Sequence, residues 1–295
     1  MIQRFLDPAV LAGISSLDLV AKTVVDGFIS GLHRSPDFGF SQEFAEYKSY
    51  NPGDDLRHVD WNVYARSEKM FLKRYRGETN CQVSVLLDCS KSMSFGSGKV
   101  DKIEYARFVT ASILYLAHLQ RDAAGLVIFD DEVRNFVAPS TRQGQLFRLL
   151  NAVNTAECGT RTDFSKPFTH LADFLKKRGV IVAISDFWDS PQTIINTMAP
   201  LRYRGNELIL LHLLDPDELR PNFKYSVLME DLETGAKLEV TPNYAKTEYR
   251  EKLDAHIEQI RQLAKGAGMD YFLVDTSKPL DGVLREYLAI RTGRM

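Results

Sequence analysis

The strongest constraint on the fold is an alternation that begins after residue 80, where short, largely apolar runs are separated by stretches with apolar residues at helical spacing. The runs are Val83 to Leu87, Gly125 to Phe129, Val133 to Val137, Val180 to Ile184, Glu207 to Leu213 and Tyr271 to Val274. Helical patterns cover Lys102 to Leu119, Gln143 to Val153, Pro167 to Lys177, Pro191 to Leu201, a long segment ending at Lys265, and a closing stretch from Leu280 to Ile290. Strands that are apolar on both faces and joined by helices form a mostly parallel sheet covered on both sides. The expected fold is therefore α/β, with helices on both faces of the sheet and a small β-rich insert near residues 223–241.

The region before this alternation reads differently. Residues 8–33 place Leu11, Ile14, Leu17, Val20, Ala21, Val24, Val25 and Phe28 at helical spacing, which predicts one or two helices broken near Ser15 and Ser16. From Ser35 to Gly77 the pattern is aromatic, charged and irregular, with a turn at Pro52-Gly53 and a candidate strand from Met70 to Tyr75. We expect residues 1–80 to form an ordered helical and β extension packed on a core domain of residues 81–295. The extension is too rich in aromatics to stay in water.

Composition narrows the class. Lys and Arg number 37 against 39 Asp and Glu, so no global charge draws the chain to nucleic acid or an anionic membrane. The longest apolar runs fall far short of the ~20 residues that span a bilayer. Asp7 and Asp18 interrupt the apolar start and spoil it as a secretory signal, so a cytoplasmic location without a membrane span is expected. Cys81, Cys89 and Cys158 form no CxxC pair, which argues against a disulfide framework or a zinc site. Cys89 is expected to pack beneath its loop, and the six scattered histidines lack metal-ligand spacing.

In parallel sheets ligands bind at the carboxyl ends of the strands. Three acidic or hydroxyl clusters fall there: Asp88-Cys89-Ser90-Lys91-Ser92, Asp130-Asp131 and Asp186. A fourth, Thr160-Arg161-Thr162-Asp163, precedes a helical pattern. Carboxylates and hydroxyls without paired His or Cys are hard oxygen donors, suited to Mg²⁺ or Mn²⁺. A magnesium site with few direct protein ligands keeps waters and leaves a position for an external carboxylate. Turn chemistry competes with this reading, since Asp and Ser also satisfy loose backbone donors after strands and before helices.

Asp88, Ser90 and Ser92 resemble the DxSxS motif of von Willebrand factor A domains, and Thr162 and Asp186 stand where that family takes its further metal ligands. The resemblance implies a metal-ion-dependent adhesion site whose shell is completed by a partner's Glu or Asp. The run from Glu43 to Trp61, with Asn51-Pro52-Gly53-Asp54-Asp55-Leu56-Arg57-His58-Val59-Asp60-Trp61 and then Ala65-Arg66, is similar to the signature of domain of unknown function 58. That similarity covers nearly the whole chain and implies a von Willebrand factor A-like, Rossmann-like fold with a MoxR-type AAA+ ATPase as partner, in protein assembly or maturation. The sequence departs from many A domains at Phe187 and Trp188, which follow Asp186 where Gly is common. Asp130, Asp163, Phe187 and Trp188 are expected near the metal or at a partner contact.

Other readings are weighed on the same residues. Asp54, Asp55, Arg57, Asp60, Trp61 and Arg66 read as ion pairs and hydrogen bonds that dock the extension, ahead of a partner surface. Asp130-Asp131 reads first as a turn. Gly96 to Lys99 fails as a phosphate loop, because Met93 stands where Gly is required and Val100 where Ser or Thr is. The alternative function is Mg²⁺-dependent phosphoryl transfer with Asp88 as nucleophile, although Ser90 stands where such enzymes carry a second acid.

Overall fold

A computed structural model describes residues 7–32, 44–50, 59–67, 69–75, 81–159, 175, 177–230 and 236–293. The backbone divides into two compact units, one of residues 1–31 with 81–295 and one of residues 32–80.

In the smaller unit, β1 (Phe44–Ser49) pairs antiparallel with β2 (Phe71–Tyr75), and Val59 bridges Leu72. Asp60 starts the helix Trp61–Ser67, since its Oδ1 accepts from the amides of Asn62 and Val63 at 3.0 and 3.3 Å. That is N-capping by a buried carboxylate. The signature aromatic does not pack away as expected: Trp61 is 56% exposed and meets Tyr64 edge-on. Arg66 is exposed at the end of the same helix, while Asp54, Asp55 and Arg57 lie outside the described residues.

The larger unit holds a six-stranded sheet made of β3 (Gln82–Asp88), β4 (Ala123–Phe129), β5 (Val133–Ser140), β6 (Gly179–Ser185), β7 (Glu207–Leu214) and β10 (Asp270–Asp275), in the order β10-β7-β6-β3-β4-β5. A separate antiparallel hairpin joins β8 (Val227–Glu230) to β9 (Lys237–Val240), where the β insert is expected. All pairings in the large sheet are parallel except β4 with β5. β5 is one of the two edges, with a partly exposed pattern rather than an apolar one, and it carries Pro139, which a central strand excludes. Gly125 of β4 lies under that ring, where a Cβ would come within 2.7 Å of it.

Successive side chains of the central strands point to opposite faces. Leu86, Val127, Ile181 and Leu208 join one core cluster with Ile194 and Met198 of the helix Pro191–Tyr203 and Ile260 and Ala264 of the helix Glu248–Gly266. The helix Lys102–Leu119 is buried around most of its circumference, and its Ala111 packs with Leu150 of Gln145–Asn154 and Ala21 of Leu17–Leu32. This last contact moves the expected domain boundary. The helix Leu17–Leu32 buries Val20, Ala21, Val24, Val25 and Phe28 and forms a layer of the larger unit, so the first 31 residues do not belong with an extension of residues 1–80. The helix expected over residues 167–177 lies outside the described residues apart from Leu175 and Lys177. Among the described residues, no helix is long and apolar enough to cross a membrane.

Candidate metal centre

The chain runs outward from β3 to β4 and β5, then returns to the other side of β3 to place β6. Where strand order reverses, the helices leave on opposite faces and a crevice opens at the carboxyl ends of the two strands. Asp88 closes β3 and Asp186 follows β6, so both carboxylates stand at this reversal.

Asp88 is fully buried. Its Oδ1 accepts from the Ser90 amide at 2.8 Å, and its Oδ2 accepts from the Ser185 hydroxyl at 2.6 Å. Ser185 in turn accepts from the Phe187 amide at 2.9 Å, which ties the two strand ends together. The Ser90 and Ser92 hydroxyls lie 3.0 Å apart; Ser90 is buried and Ser92 is partly exposed, so the cluster meets solvent at Ser92. Burial, reinforced by the charge of Asp186, pushes the Asp88 carboxyl up to about 7 despite its hydrogen bonds.

Asp186 has a partner that sequence reasoning missed. Lys102, at the start of its helix and fully buried, places Nζ 2.8 Å from Asp186 Oδ2 and 2.7 Å from Glu218 Oε1. Burial alone would lower the lysine, but the two carboxylates outweigh it and hold the ammonium above its ordinary value. Glu218 also completes a capping box on the short helix Pro216–Leu219, where its Oε2 accepts from the Asp215 amide at 2.8 Å. The box was legible as Asp215-Pro216-Asp217-Glu218. The signal for Lys102 was subtler: a cation directly after the N-cap Asp101 opposes the helix dipole, and such a position needs an acidic neighbour.

Phe187 takes a left-handed backbone, with φ at 48°, and is buried. Its carbonyl accepts from His256 Nε2 at 3.1 Å, and its ring meets His212 edge-on at 5.6 Å. His212 is buried, with Nδ1 2.7 Å from the Tyr271 hydroxyl. Trp188 stacks on His256 and is 43% exposed, so of the two aromatics only Trp188 offers a surface. Histidines passed over for want of metal spacing thus shape the loop after Asp186.

Asp130 is engaged elsewhere: both oxygens accept from Arg134 Nε at 2.8 Å, and Oδ1 accepts from the Glu132 amide, as a turn into β5 requires. The Gly159 amide donates to the Cys89 carbonyl at 2.7 Å, which holds the chain beside the site three residues before Thr162. Thr162 and Asp163 lie outside the described residues.

The donors present fit a hard divalent cation. Burial first, and the charge of Asp186 second, drives Asp88 toward protonation, and a cation beside Asp88 would relieve both costs. Hydroxyl oxygens complete the set. Among the described residues, no group of three or more His, Cys, Asp or Glu side chains could hold a metal, so the serines are essential to the fit.

The chain is 27% identical to uncharacterized protein Rv1480 of Mycobacterium tuberculosis (strain ATCC 25618 / H37Rv) over 98% of its own length and 92% of the relative's. It matches uncharacterized protein Mb1516 of Mycobacterium bovis to the same extent. Among solved structures, an aerotolerance-related membrane protein from Bacteroides fragilis NCTC 9343 is similar at a TM-score of 0.50 and 15% identity, covering 70% of this chain and 97% of that one. BatB from Bacteroides thetaiotaomicron aligns at 0.49 and 12% identity (72% and 98% covered), and the SpRpn10 VWA domain at 0.43 and 10% (70% and 94%). With a family model that matches residues 46–262 of its 295, the chain belongs to the family described as protein of unknown function DUF58.

Proposed function

We propose that this protein is a metal-dependent protein-interaction module. Asp88, Ser90, Ser92, Thr162 and Asp186 hold Mg²⁺ or Mn²⁺, and a partner protein supplies a Glu or Asp carboxylate to the open position. The observation that carries this reading is the placement of Asp88 and Asp186 at the strand-order reversal, with the buried Ser90 hydroxyl beside Asp88 and the Ser92 hydroxyl at the solvent side. Bound there, the cation supplies positive charge to an incoming carboxylate. Ser185 and the Ser90 amide orient Asp88, Lys102 orients Asp186, and Trp188 adds exposed aromatic surface beside the mouth. The partner we favour is a MoxR-type AAA+ ATPase.

Phosphoryl transfer from this site is the weaker reading. Enzymes that use an Asp nucleophile in this way carry a second acid two residues on, and here that position is Ser90. The deciding experiment is affinity capture from a native lysate with Mg²⁺ and with chelator, using the wild type and Ser90→Ala/Ser92→Ala. Capture of an AAA+ ATPase only with Mg²⁺ and only by the wild type is expected. The same partners in every lane would overturn the reading.

A further inference from the structure

Beside the candidate metal centre, the hairpin of β8 and β9 covers a cavity of about 480 Å³. That volume falls in the range of about 300–1,000 Å³ typical of small-molecule sites. Its walls are mostly apolar: Phe95 from the loop after Ser92, Val227 and Met229 from β8, Val240 from β9, and Tyr249 from the following helix. The cavity does not depend on the reading of the metal centre.

Its charge is one-sided. Asp217 and Glu218 stand in the wall, and none of the described lining residues is basic. Lys102, the ammonium paired with Glu218, is fully buried and divided between Glu218 and Asp186. An anion entering the cavity would meet two carboxylates, whereas a cation would meet those carboxylates among three aromatic residues, Phe95, Phe223 and Tyr249. Phe95 already faces one ammonium, with Lys102 Nζ 5.8 Å from its ring centre.

We infer that this cavity is a second ligand site, for a small molecule with an apolar body and one cationic group. The apolar body fills the space between Val227, Val240 and Tyr249, and the cation lies at the Glu218 and Asp217 wall.

The test is calorimetric titration of the full chain with tryptamine and with tryptophol, its uncharged counterpart, in buffer containing chelator, so that the metal centre plays no part. Tryptamine binding at least about tenfold tighter than tryptophol is expected, a difference of about 1.4 kcal/mol. Val227→Trp, which fills the cavity from an existing wall, abolishes the binding while the unfolding transition stays cooperative. Glu218→Gln weakens tryptamine about tenfold and leaves tryptophol unchanged. Equal binding of the two probes, no binding of either, or tryptamine binding that survives Val227→Trp would overturn the assignment.

Discussion

Lys102 and Asp186 form a buried ion pair, with Nζ 2.8 Å from Oδ2 and with 0% and 1% of the two side chains exposed. The pair neutralises one of the two carboxylates at the strand reversal, whereas among the described residues no cation pairs with Asp88. A buried lysine bound to a candidate metal ligand both steadies that ligand and competes with the metal for it.

Replacing Lys102 by Met separates the two effects. Breaking a buried pair typically costs about 3–5 kcal/mol, because the stranded charge has nowhere to go. The Lys102→Met protein should unfold at a much lower denaturant concentration in chelator, and Mg²⁺ should restore more of that loss than it adds to the wild type. Equal destabilisation with and without Mg²⁺ would show that no cation binds beside Asp186.

The pH dependence of Asp88 follows from its environment. In the unfolded chain an aspartate ionises near 3.9, whereas burial and Asp186 push it up to about 7 in the fold. A raised carboxyl binds more protons folded than unfolded, so its contribution is present in full below pH ~3.9 and is lost as pH rises toward 7. Asp88→Asn should therefore stabilise the metal-free protein at pH 8 and remove its response to Mg²⁺. Denaturant titrations at pH 5 and pH 8 check this, and a variant less stable than wild type at pH 8 in chelator would contradict it.

His212 gives the opposite slope. Burial, with smaller repulsion from His256 and Lys102, lowers its imidazole to about 3. A depressed base binds fewer protons folded than unfolded, so stability is lost as pH falls from ~6.5 toward 3. His212→Gln keeps a partner for the Tyr271 hydroxyl and should flatten the acid limb of the stability profile. An unchanged acid limb would mean that other groups set it.

Much of this arrangement was legible because the residues that carry it obey local rules. The helix Lys102–Leu119 appears at its expected bounds, since apolar periodicity and an Asp N-cap agree there. Asp88 and Asp186 were visible as acids ending apolar strands. Lys102, Glu218 and Ser185 were not, because each looks ordinary in sequence and gains its role only from pairings across 84, 116 and 97 positions. The grouping of the helix Leu17–Leu32 with the larger unit is illegible for a related reason: an amphipathic helix announces its apolar face but not the layer that covers it.

Gly159 tests whether the chain next to Cys89 is held in place by its surroundings. A Cβ at this position would lie 1.8 Å from Asp130 Oδ2, and Asp130 cannot retreat freely because Arg134 grips both of its oxygens. The Gly159 amide also donates to the Cys89 carbonyl, inside the DxSxS stretch. Gly159→Ala must therefore displace the Asp130 turn or pull the loop from Cys89. Overpacking of this kind costs about 1–3 kcal/mol. If the loop gives way, affinity for Mg²⁺ should fall as well, whereas relaxation confined to the Asp130 turn would lower stability and leave affinity intact. Adding Asp130→Ala to Gly159→Ala removes the clash, and recovery of Mg²⁺ affinity in the double variant, measured by calorimetry, is the expected outcome. Failure to recover would locate the constraint at Cys89 rather than at Asp130.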